Sequence, residues 1–477
     1  MRKFLDKIYF IATFSLAIVL GLFIAKGFVF GAEKIIVGVE PHFKNAGQLL
    51  ANSFSFEKDK SFEYVEKETE EKPISIKLGN IKDSDFVPPQ DGKMIRINLE
   101  TMKMDLYEDG NLVETITVLA KGKPGSYWET PGGEYEIQTK EERHLSSVGR
   151  AWMPWSMQFF GNFFIHGWPT YENGTPFPKG SGYSGGCIRL SDEDAEKLYE
   201  WSEIGTKVSI YSEKEISEEN IVSGNYFKID NSKEPRVSAQ SYAVGDLETG
   251  EIILEKNPLE QRPIASITKL FTALTDLDVL SQRKNITLTK NMLSTECENG
   301  GFYVGEKVPT NELIYPLLLV SSNDAAEIIA QSVGRPDFIR YMNEKTQSIG
   351  LSNTYLEDPT GLSENNTSNT YDLLKLARYL YLYKPFILDV SVKEKRNWSS
   401  HSWNNTSQFL DNEGYKGGKR GYTDEALETN LGIFEINVGE FSKRTLGVVV
   451  LGSTDRYTDT NEILEYVKNN IYYQTIK

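Results

Sequence analysis

The sequence Pro-Ile-Ala-Ser-Ile-Thr-Lys-Leu at residues 263–270 opens the part of the chain with the clearest helical signal. Apolar residues recur at helical spacing after it and predict an amphipathic helix over about 266–280. Ser266 and Lys269 then lie one turn apart on the same face of that helix. Because a desolvated amine there can take the hydroxyl proton, the pair is a candidate nucleophile and base. A serine and a lysine at this spacing are common, so their meaning depends on the rest of the chain.

Two further polar segments lie downstream in the order that this chemistry requires. Residues 321–323, Ser-Ser-Asn, separate an apolar run from a predicted helix over 323–333. Residues 418–423, Gly-Lys-Arg-Gly-Tyr-Thr, precede two predicted strands at 431–437 and 445–452. An S-x-x-K, an S-x-N and a K-x-G element in this order match the motif set of penicillin-binding proteins and serine β-lactamases.

Residues from about 237 to 453 resemble the low-molecular-weight D-alanyl-D-alanine carboxypeptidases. The likeness rests on five stretches of sequence, residues 242–254, 265–270, 317–326, 358–362 and 421–426. The resemblance implies an α/β (α+β) domain of the penicillin-binding and serine β-lactamase type over residues 237–477. A β-lactamase remains an alternative, although the likeness to carboxypeptidases extends over more of the chain.

The resemblance also implies a role for each motif residue. Ser266 would be acylated by the carbonyl of the penultimate D-Ala, with Lys269 as its base. Ser321 would relay a proton to the leaving amine, Asn323 would hold the substrate amide, and Lys419 would supply positive charge. These assignments make the C-terminal domain a serine-type carboxypeptidase.

Two more residues of the last motif have implied roles. The backbone N–H groups of Tyr422 and Ser266 would form the oxyanion hole. Arg420 stands where the family has threonine, whose hydroxyl meets the terminal carboxylate. An arginine could bind that carboxylate as a bidentate donor, or its bulk could fill the pocket. Cys297, between the serine motifs, has no partner pattern and is interpreted as structural.

The N-terminal half carries a second candidate nucleophile. Residues 184–191, Ser-Gly-Gly-Cys-Ile-Arg-Leu-Ser, place Cys187 between a glycine turn and a predicted helix start at Ser191. A thiol becomes nucleophilic when a nearby base or a helix N-terminus lowers its pKa. His166, after the apolar run 163–165, is the histidine expected to lie close. Taken alone, this pair also fits a buried thiol and a core histidine.

Residues from about 93 to 211 resemble the L,D-transpeptidase catalytic domain. The likeness rests on 130–133 (Thr-Pro-Gly-Gly), 165–167 (Ile-His-Gly) and 184–190. Alternating apolar and polar residues from Ile95 onward, with turns between them, predict a small, mostly-β domain over 93–212 with a helix near 192–202.

The second resemblance implies a cysteine enzyme. Cys187 would attack the carbonyl of the third residue of a stem peptide, with His166 as its base and Arg189 holding the substrate. Glycine amides beside the thiol, such as that of Gly186, would stabilise the oxyanion. The family usually has a second histidine two residues before the cysteine, where this chain has Gly185, and this difference bears on the orientation of the thiolate.

The N-terminus is expected to be a signal or anchor segment. Basic residues at positions 2, 3 and 7 precede an apolar run over 8–25, which is just long enough to span a bilayer. We expect residues 1–32 to remain as a transmembrane anchor, with the rest outside. Cleavage near 29–31 would instead release the protein to the wall. Residues 33–92 are predicted to be a stalk and residues 213–236 a polar linker.

Composition limits the remaining possibilities. A length of 477 residues suggests two or three domains, and a net charge of -16 argues against nucleic acid as a partner. The chain has two cysteines and four histidines, without disulfide-framework or metal-ligand spacing. We therefore predict no metal and no cofactor.

Together these features predict a multidomain protein of the cell envelope, on the outer face of the cytoplasmic membrane. Its expected partners are peptidoglycan stem peptides, β-lactams as covalent inhibitors, and the membrane through the N-terminal segment. A carboxypeptidase would trim pentapeptides to tetrapeptides, which an L,D-transpeptidase would cross-link. The alternative is a non-catalytic or half-active wall-binding anchor protein, in which Gly185 and Arg420 mark degenerate sites.

Overall fold

The computed structural model describes residues 76–77, 86–146, 149–180, 182–212, 224–229, 233–296, 299–438 and 443–475. The predicted anchor, most of the predicted stalk and Cys297 lie outside these residues. Of the helices that are described, none has the length and apolar character needed to cross a bilayer. Residues from Glu71 onward form one compact unit.

The first described strand, β1 (Ile76–Lys77), is followed by a domain of residues 93–212, here called the N-terminal domain. Its elements are β2 Lys93–Asn98, β3 Lys103–Glu108, β4 Asn111–Thr117, β5 Lys121–Gly122, β6 Gly133–Glu136, β7 Thr139–Ser146, β8 Ala151–Phe160, β9 Phe163–His166, β10 Thr170–Tyr171, β11 Tyr183–Ser184, β12 Ile188–Arg189, α1 Asp192–Trp201 and β13 Lys207–Tyr211.

The N-terminal domain consists of two five-stranded sheets around one apolar core and a two-stranded parallel pair formed by β5 and β11. The first sheet has the order β4-β3-β2-β13-β6, and the second has the order β10-β8-β9-β12 with β7 paired to β8. Ile95 and Ile97 of β2 are fully buried, as period-2 alternation predicts. Helix α1 starts where its N-cap, Ser191, accepts the Asp194 N–H. This architecture agrees with the predicted mostly-β domain.

The C-terminal domain, residues 224–475, contains the remaining elements. They are β14 Gly224–Lys228, β15 Ser241–Asp246, β16 Glu251–Lys256, β17 Arg262–Pro263, a 3₁₀ turn Ala265–Ile267, α2 Thr268–Val279, β18 Asn285–Thr287, β19 Lys307–Pro309, α3 Thr310–Leu319, α4 Asn323–Val333, α5 Arg335–Ser348, β20 Thr367–Ser368, α6 Thr370–Tyr383, α7 Pro385–Ser391, β21 Lys395–Trp398, β22 His401–Asn404, β23 Tyr415–Thr423, β24 Leu427–Asn437, β25 Lys443–Ser453, α8 Arg456–Asn470 and β26 Ile471–Thr475.

A six-stranded sheet with the order β1-β16-β15-β25-β24-β23 divides the C-terminal domain into two layers. Val449 and Leu451 of β25 face a core formed with the helices α2 to α7. Val448 and Val450, which alternate with them, face a second core that contains residues of α8. The central strands are therefore buried on both faces, as expected for an α/β (α+β) domain.

The predicted polar linker, residues 213–236, is corrected by the structure. Strand β14 lies within it and pairs with β26 at the other end of the chain. Tyr226 is fully buried, and its hydroxyl donates to Asp246. Its ring centroid lies 4.9 Å from that of Tyr473. The C-terminal domain therefore begins before residue 237, because burial of this aromatic pair compensates for the polar composition around it.

Within the predicted stalk, strand β1 pairs antiparallel with β16, with Ile76 opposite Ile252. This pairing extends the sheet of the C-terminal domain by a strand that precedes the N-terminal domain in sequence.

Candidate active sites

The serine site is built at the start of α2. Ser266 lies in the 3₁₀ turn that runs directly into this helix, so Lys269 follows one turn later. Lys269 Nζ lies 2.9 Å from Ser266 Oγ, and the lysine is completely buried. The same Nζ lies 2.6 Å from Asn323 Oδ1 and 2.5 Å from the Thr360 carbonyl oxygen. The predicted base is thus held against the predicted nucleophile by polar groups from two other segments.

The backbone of two other segments packs closely against Ser266 and the residue before it. Ala265, just before it, has a left-handed φ of 47°. A Cβ at Gly361 would lie 2.1 Å from the Ala265 oxygen, and one at Gly421 would lie 2.6 Å from the Ser266 nitrogen. Only glycine allows these two segments to pass so near. Strand β23 therefore runs beside the Ser266 amide, while the side chain of Tyr422 is 58% exposed and points its hydroxyl at Asp424.

A second lysine–serine pair faces the site. Ser321 has a left-handed φ of 57° just before α4, and Lys419 Nζ donates to its Oγ over 2.9 Å. Burial lowers the pKa of Lys419 well below its ordinary value, and the cations of Lys269, Arg420 and Arg456 add to the effect. Lys419 therefore loses its proton more readily than an exposed lysine, which suits proton exchange with Ser321.

Asn323 and Arg420 complete the predicted residues of this site. Besides accepting from Lys269, Asn323 donates through Nδ2 to the Glu296 carbonyl over 2.8 Å. Arg420 is partly exposed, and no carboxylate among the described residues forms an ion pair with it. The nearby Arg456, by contrast, is paired with Glu428 and donates to the Gly421 carbonyl. The two neighbouring arginines thus differ, since Arg456 has an ion-pair partner among the described residues and Arg420 does not.

The loop 358–363 contacts the serine site, although the sequence did not predict a role for it there. The Asp358 carboxylate accepts the backbone N–H groups of Thr360, Gly361 and Ser363. This turn aims the Thr360 carbonyl at Lys269. The signal was present as an Asp-Pro-Thr-Gly sequence, in which aspartate hydrogen-bonds the backbone after it. A cavity of about 700 Å³ opens beside this loop and is lined by residues that include Thr360 and Glu296.

The cysteine site lies between two parallel strands. Cys187 immediately precedes β12 and His166 ends β9, with Arg189 opposite His166 in the register. His166 is 1% exposed, and its Nδ1 lies 2.6 Å from the Gly167 carbonyl oxygen. Nδ1 therefore carries the proton in the neutral ring, and Nε2 keeps a lone pair. The Gly167 carbonyl is an orienting group that the sequence analysis did not identify.

Burial determines the protonation state of this pair. It lowers the pKa of His166 to about 3 and raises the pKa of the Cys187 thiol above its ordinary value. At neutral pH the resting site therefore holds a neutral thiol and a neutral imidazole. The thiol donates to the Asn162 carbonyl over 3.7 Å, and within the described residues no hydrogen bond joins it to His166. Any nucleophilic reaction of Cys187 would therefore require the loss of the thiol proton.

The Gly186 amide, which is predicted to stabilise the oxyanion, has a hydrogen-bond partner within its own loop. Its N–H donates to Ser184 Oγ over 3.0 Å, and its carbonyl accepts from Thr130 Oγ1 over 2.7 Å. The Ser184 hydroxyl also donates to the Cys187 carbonyl, so both of these hydrogen bonds of Ser184 lie within the loop. Gly186 has a φ of 110°, and a Cβ there would lie 2.3 Å from Phe163 Cε1. Gly186 therefore shapes the loop, and its amide is already occupied.

The remaining two positions of the cysteine site, Arg189 and Gly185, have different surroundings. Arg189 is half-buried, with its guanidinium carbon 5.6 Å from the Trp168 ring and 5.8 Å from the Phe177 ring. These aromatic rings fix the cation beside the thiol. At Gly185, an added Cβ would have no described atom within 4 Å. The position of the histidine that the family usually carries is therefore open.

Comparisons with known proteins cover both halves of the chain. Residues 228–450 match the family model for D-alanyl-D-alanine carboxypeptidase. Residues 92–210 match the model for the L,D-transpeptidase catalytic domain. The chain is 29% identical over 202 residues to D-alanyl-D-alanine carboxypeptidase DacF of Bacillus subtilis, covering 39% of this chain and 52% of the relative. It thus spans about half the length of that relative.

A second relative is D-alanyl-D-alanine carboxypeptidase DacB2 of Mycobacterium tuberculosis, 29% identical over 210 residues, 42% of this chain and 71% of the relative. A solved D-alanyl-D-alanine carboxypeptidase from the same organism aligns with a TM-score of 0.46 at 25% identity, over 50% of this chain and 94% of that one. In one polypeptide, residues 92–210 are thus similar to the L,D-transpeptidase catalytic domain and residues 228–450 to D-alanyl-D-alanine carboxypeptidase.

Proposed function

We propose that this protein is a bifunctional peptidoglycan enzyme, a serine D,D-carboxypeptidase and a cysteine L,D-transpeptidase. The observation that carries the proposal is the 2.9 Å contact between the buried Lys269 amine and Ser266 Oγ, with Lys419 on Ser321 at the same distance. A desolvated lysine against a serine hydroxyl is the arrangement that activates such a nucleophile.

The serine reaction begins with a stem pentapeptide. Ser266 Oγ attacks the carbonyl of the penultimate D-Ala, and its proton passes to Lys269. The bond to the terminal D-Ala then breaks, and the departing amine takes a proton through Ser321, which Lys419 contacts. Water hydrolyses the ester and releases a tetrapeptide. Arg420 is the group proposed to bind the terminal carboxylate, because a guanidinium can hold both carboxylate oxygens.

The cysteine reaction uses the tetrapeptide. Cys187 Sγ attacks the carbonyl of its third residue while His166 Nε2 takes the thiol proton. The terminal D-Ala leaves with that proton, and a thioester remains on Cys187. The amine of a neighbouring stem then attacks the thioester, so that a cross-link forms and the thiol is restored. The neutral imidazole held by Gly167 supports His166 as the base.

The two sites belong to one compact unit. Helix α2 starts two residues after Ser266, is about 18 Å long, and ends at residues that contact the turn beside Cys187. Because the product of the serine reaction is the donor for the cysteine reaction, this proximity raises its effective concentration at the second site.

The same proposal implies where the protein is located and which compounds would inhibit it. The reactions require access to the wall, so we place the chain at the outer face of the cytoplasmic membrane, held by residues 1–32 or released after their cleavage. β-Lactams, which resemble an acylating D-Ala-D-Ala end, would acylate Ser266 covalently. A half-active anchor protein is the second candidate, favoured by the lack of a hydrogen bond between His166 and Cys187 in the described residues.

The deciding experiment is mass spectrometry of the full chain with a disaccharide-pentapeptide. Loss of one D-Ala that requires Ser266, followed by dimers that require Cys187, would establish both activities. Cys187→Ala and Ser266→Ala chains are the matched controls. Unchanged pentapeptide, together with tetrapeptide that stays monomeric and uncleaved when supplied directly, would leave only the anchor-protein interpretation.

A further inference from the structure

The Cys187 thiol is connected by hydrogen bonds to the carboxypeptidase domain. Its proton acceptor is the carbonyl of Asn162, in the turn between β8 and β9, at 3.7 Å. The Asn162 N–H donates to the Asp278 carbonyl over 3.2 Å, and its side-chain Nδ2 donates to the Val279 carbonyl over 2.7 Å. Both carbonyls lie in the last turn of α2, where helices lack internal donors. One asparagine thus caps the end of α2 and contacts the thiol.

The turn fits closely against the end of the helix. Gly161 has a left-handed φ of 50°, and a Cβ there would lie 2.6 Å from the Asp278 oxygen and 3.0 Å from Val279 Cγ1. Val279 also packs against the apolar core of the N-terminal domain. Gln158 donates to the Gly161 carbonyl over 2.7 Å from within the N-terminal domain. The backbone of the turn therefore has little room to move relative to α2.

The end of α2 is itself fixed. The Asp278 carboxylate is paired with Lys345 at 2.7 Å and with Lys384 at 3.1 Å, and all three side chains are buried. Lys384 also donates to the Glu129 carbonyl of the N-terminal domain over 2.9 Å. Ion pairs without access to water are held in one geometry, because separating them leaves an uncompensated charge.

We propose that the C-terminal end of α2 is a structural part of the cysteine site, and that Asn162 is a positioning residue for the transferase reaction. The carbonyls of Asp278 and Val279 hold Asn162, and the Asn162 carbonyl holds the thiol of Cys187 in place. This inference rests on the proposed function of the cysteine site. It makes the geometry of one active site dependent on the domain that carries the other.

The role of Asn162 predicts a specific change in the thiol. A thiol that donates to a carbonyl is stabilised in its protonated form, so a weaker contact lets it ionise at lower pH. The other groups that act on the thiol, the backbone of Phe164 on β9 and the Arg189 guanidinium on β12, are unchanged by substitution at Asn162. We therefore expect Asn162→Ala to lower the apparent pKa of Cys187 by about half a unit. We also expect kcat for peptide transfer to fall several-fold with little change in KM.

The test measures the rate of iodoacetamide alkylation of Cys187 over a pH series, by intact mass, in the full chain with Cys297→Ser throughout. Asn162→Ala removes an exposed side chain, so folding should be preserved. Asn111→Ala is the matched control, because its exposed Nδ2 donates to the Asp109 carbonyl within one turn. Gly161→Ala, which forces the turn away from α2, should shift the profile in the same direction.

Two outcomes decide the question. A shifted alkylation profile in Asn162→Ala, with unchanged acylation of Ser266 by a fluorescent penicillin, supports the proposal. A profile and a kcat identical to those of the parent overturn it, even if Gly161→Ala fails to fold. Because alkylation needs no peptide substrate, the shift is measurable even in a chain that proves unable to transfer peptides. Failure of the proposed function and failure of this inference are therefore distinguishable.

Discussion

Asp278 Oδ2 lies 2.7 Å from Lys345 Nζ, and neither side chain is more than 1% exposed. Lys384 completes the cluster at 3.1 Å from the other carboxylate oxygen. Burial lowers the pKa of both lysines, and attraction to Asp278 opposes that effect. Tyr135 of the N-terminal domain contacts Lys345 Nζ at 2.9 Å, so the cluster belongs to both domains. The buried cluster therefore connects the two domains in the way that a shared core connects the elements of a single domain.

Removal of the anion should destabilise the protein strongly. Asp278→Asn leaves two buried cations without a counter-charge, so we expect the free energy of unfolding to fall by about 3–5 kcal/mol. Urea denaturation followed by tryptophan fluorescence measures this change. Lys207→Met is the control, because its pair with Glu136 is more than half exposed on both sides and its loss should change stability by less than about 1 kcal/mol. Equal effects of the two substitutions would contradict the role assigned to the cluster.

The base of the serine site is tested by Lys269→Met. Methionine fills the space of the buried stem but cannot accept the Ser266 proton, so acylation by a fluorescent penicillin should slow by about 10²–10⁴-fold. Lys290→Met, at an exposed position, should acylate at the parent rate. An undiminished rate in Lys269→Met would show that another group activates Ser266.

Arg420 is tested with two substrates. If its guanidinium binds the terminal carboxylate, Arg420→Ala should lower kcat/KM for a pentapeptide by about 10–100-fold, since a hydrogen bond to a charged group contributes about 1.5–3 kcal/mol. The same substitution should have little effect on a peptide that ends in an amide. A faster reaction with the pentapeptide would mean instead that the arginine obstructs the pocket.

Gly185 provides a gain-of-function test. Its Cβ position is open, and its φ is outside the left-handed region, so Gly185→His should fold normally. We expect a higher kcat for peptide transfer, because a histidine here restores a polar partner beside the thiol. Gly180→His is the matched control, at another glycine with no described atom within 4 Å of an added Cβ. An increase in both variants, or in neither, would count against a role for position 185.

The buried His166 should make the protein sensitive to acid. Its pKa is about 3 in the folded chain, against an ordinary value near 6.5. Between these values the unfolded chain binds the proton and the native chain does not, so stability falls as pH falls from about 6.5 to 3. The slope is at most about 1.4 kcal/mol per pH unit. His166→Gln should reduce this slope in urea denaturation, whereas His144→Gln, which leaves His166 in place, should not.

Much of the fold could be predicted from local patterns. The predicted helix over 323–333 coincides with α4, and the predicted helix over 266–280 overlaps α2, Thr268–Val279. The late strands were predicted at 431–437 and 445–452, within β24 and β25. These elements are recognisable because one face, or the whole strand, is apolar at the period of the element.

Other elements had no such signal. Helix α5 is polar over most of its length, yet it supplies Lys345 to the buried cluster. Strand β14 is short and stands among charged residues, and it exists because β26 pairs with it. Both depend on partners remote in sequence, which a local window cannot detect.

The active-site residues also divide into those that the sequence predicted and those that it did not. The motifs with Ser266, Lys269 and Cys187 were identified through their resemblance to two known families, since each motif by itself also fits a residue without a catalytic role. The partners that hold them were not. Gly167, Thr360 and Ser184 act through a carbonyl or a hydroxyl whose direction depends on the folded loop.

Sequence alone was sufficient to suggest the two domain types and their candidate nucleophiles, since the order of several short motifs resembles that of two known families. Only the tertiary structure places Asn162 on the end of α2, 117 residues away from Val279. No periodicity or motif marks that contact, because it joins a polar turn to helix carbonyls that every helix possesses. The dependence of the cysteine site on the neighbouring domain arises from that long-range packing.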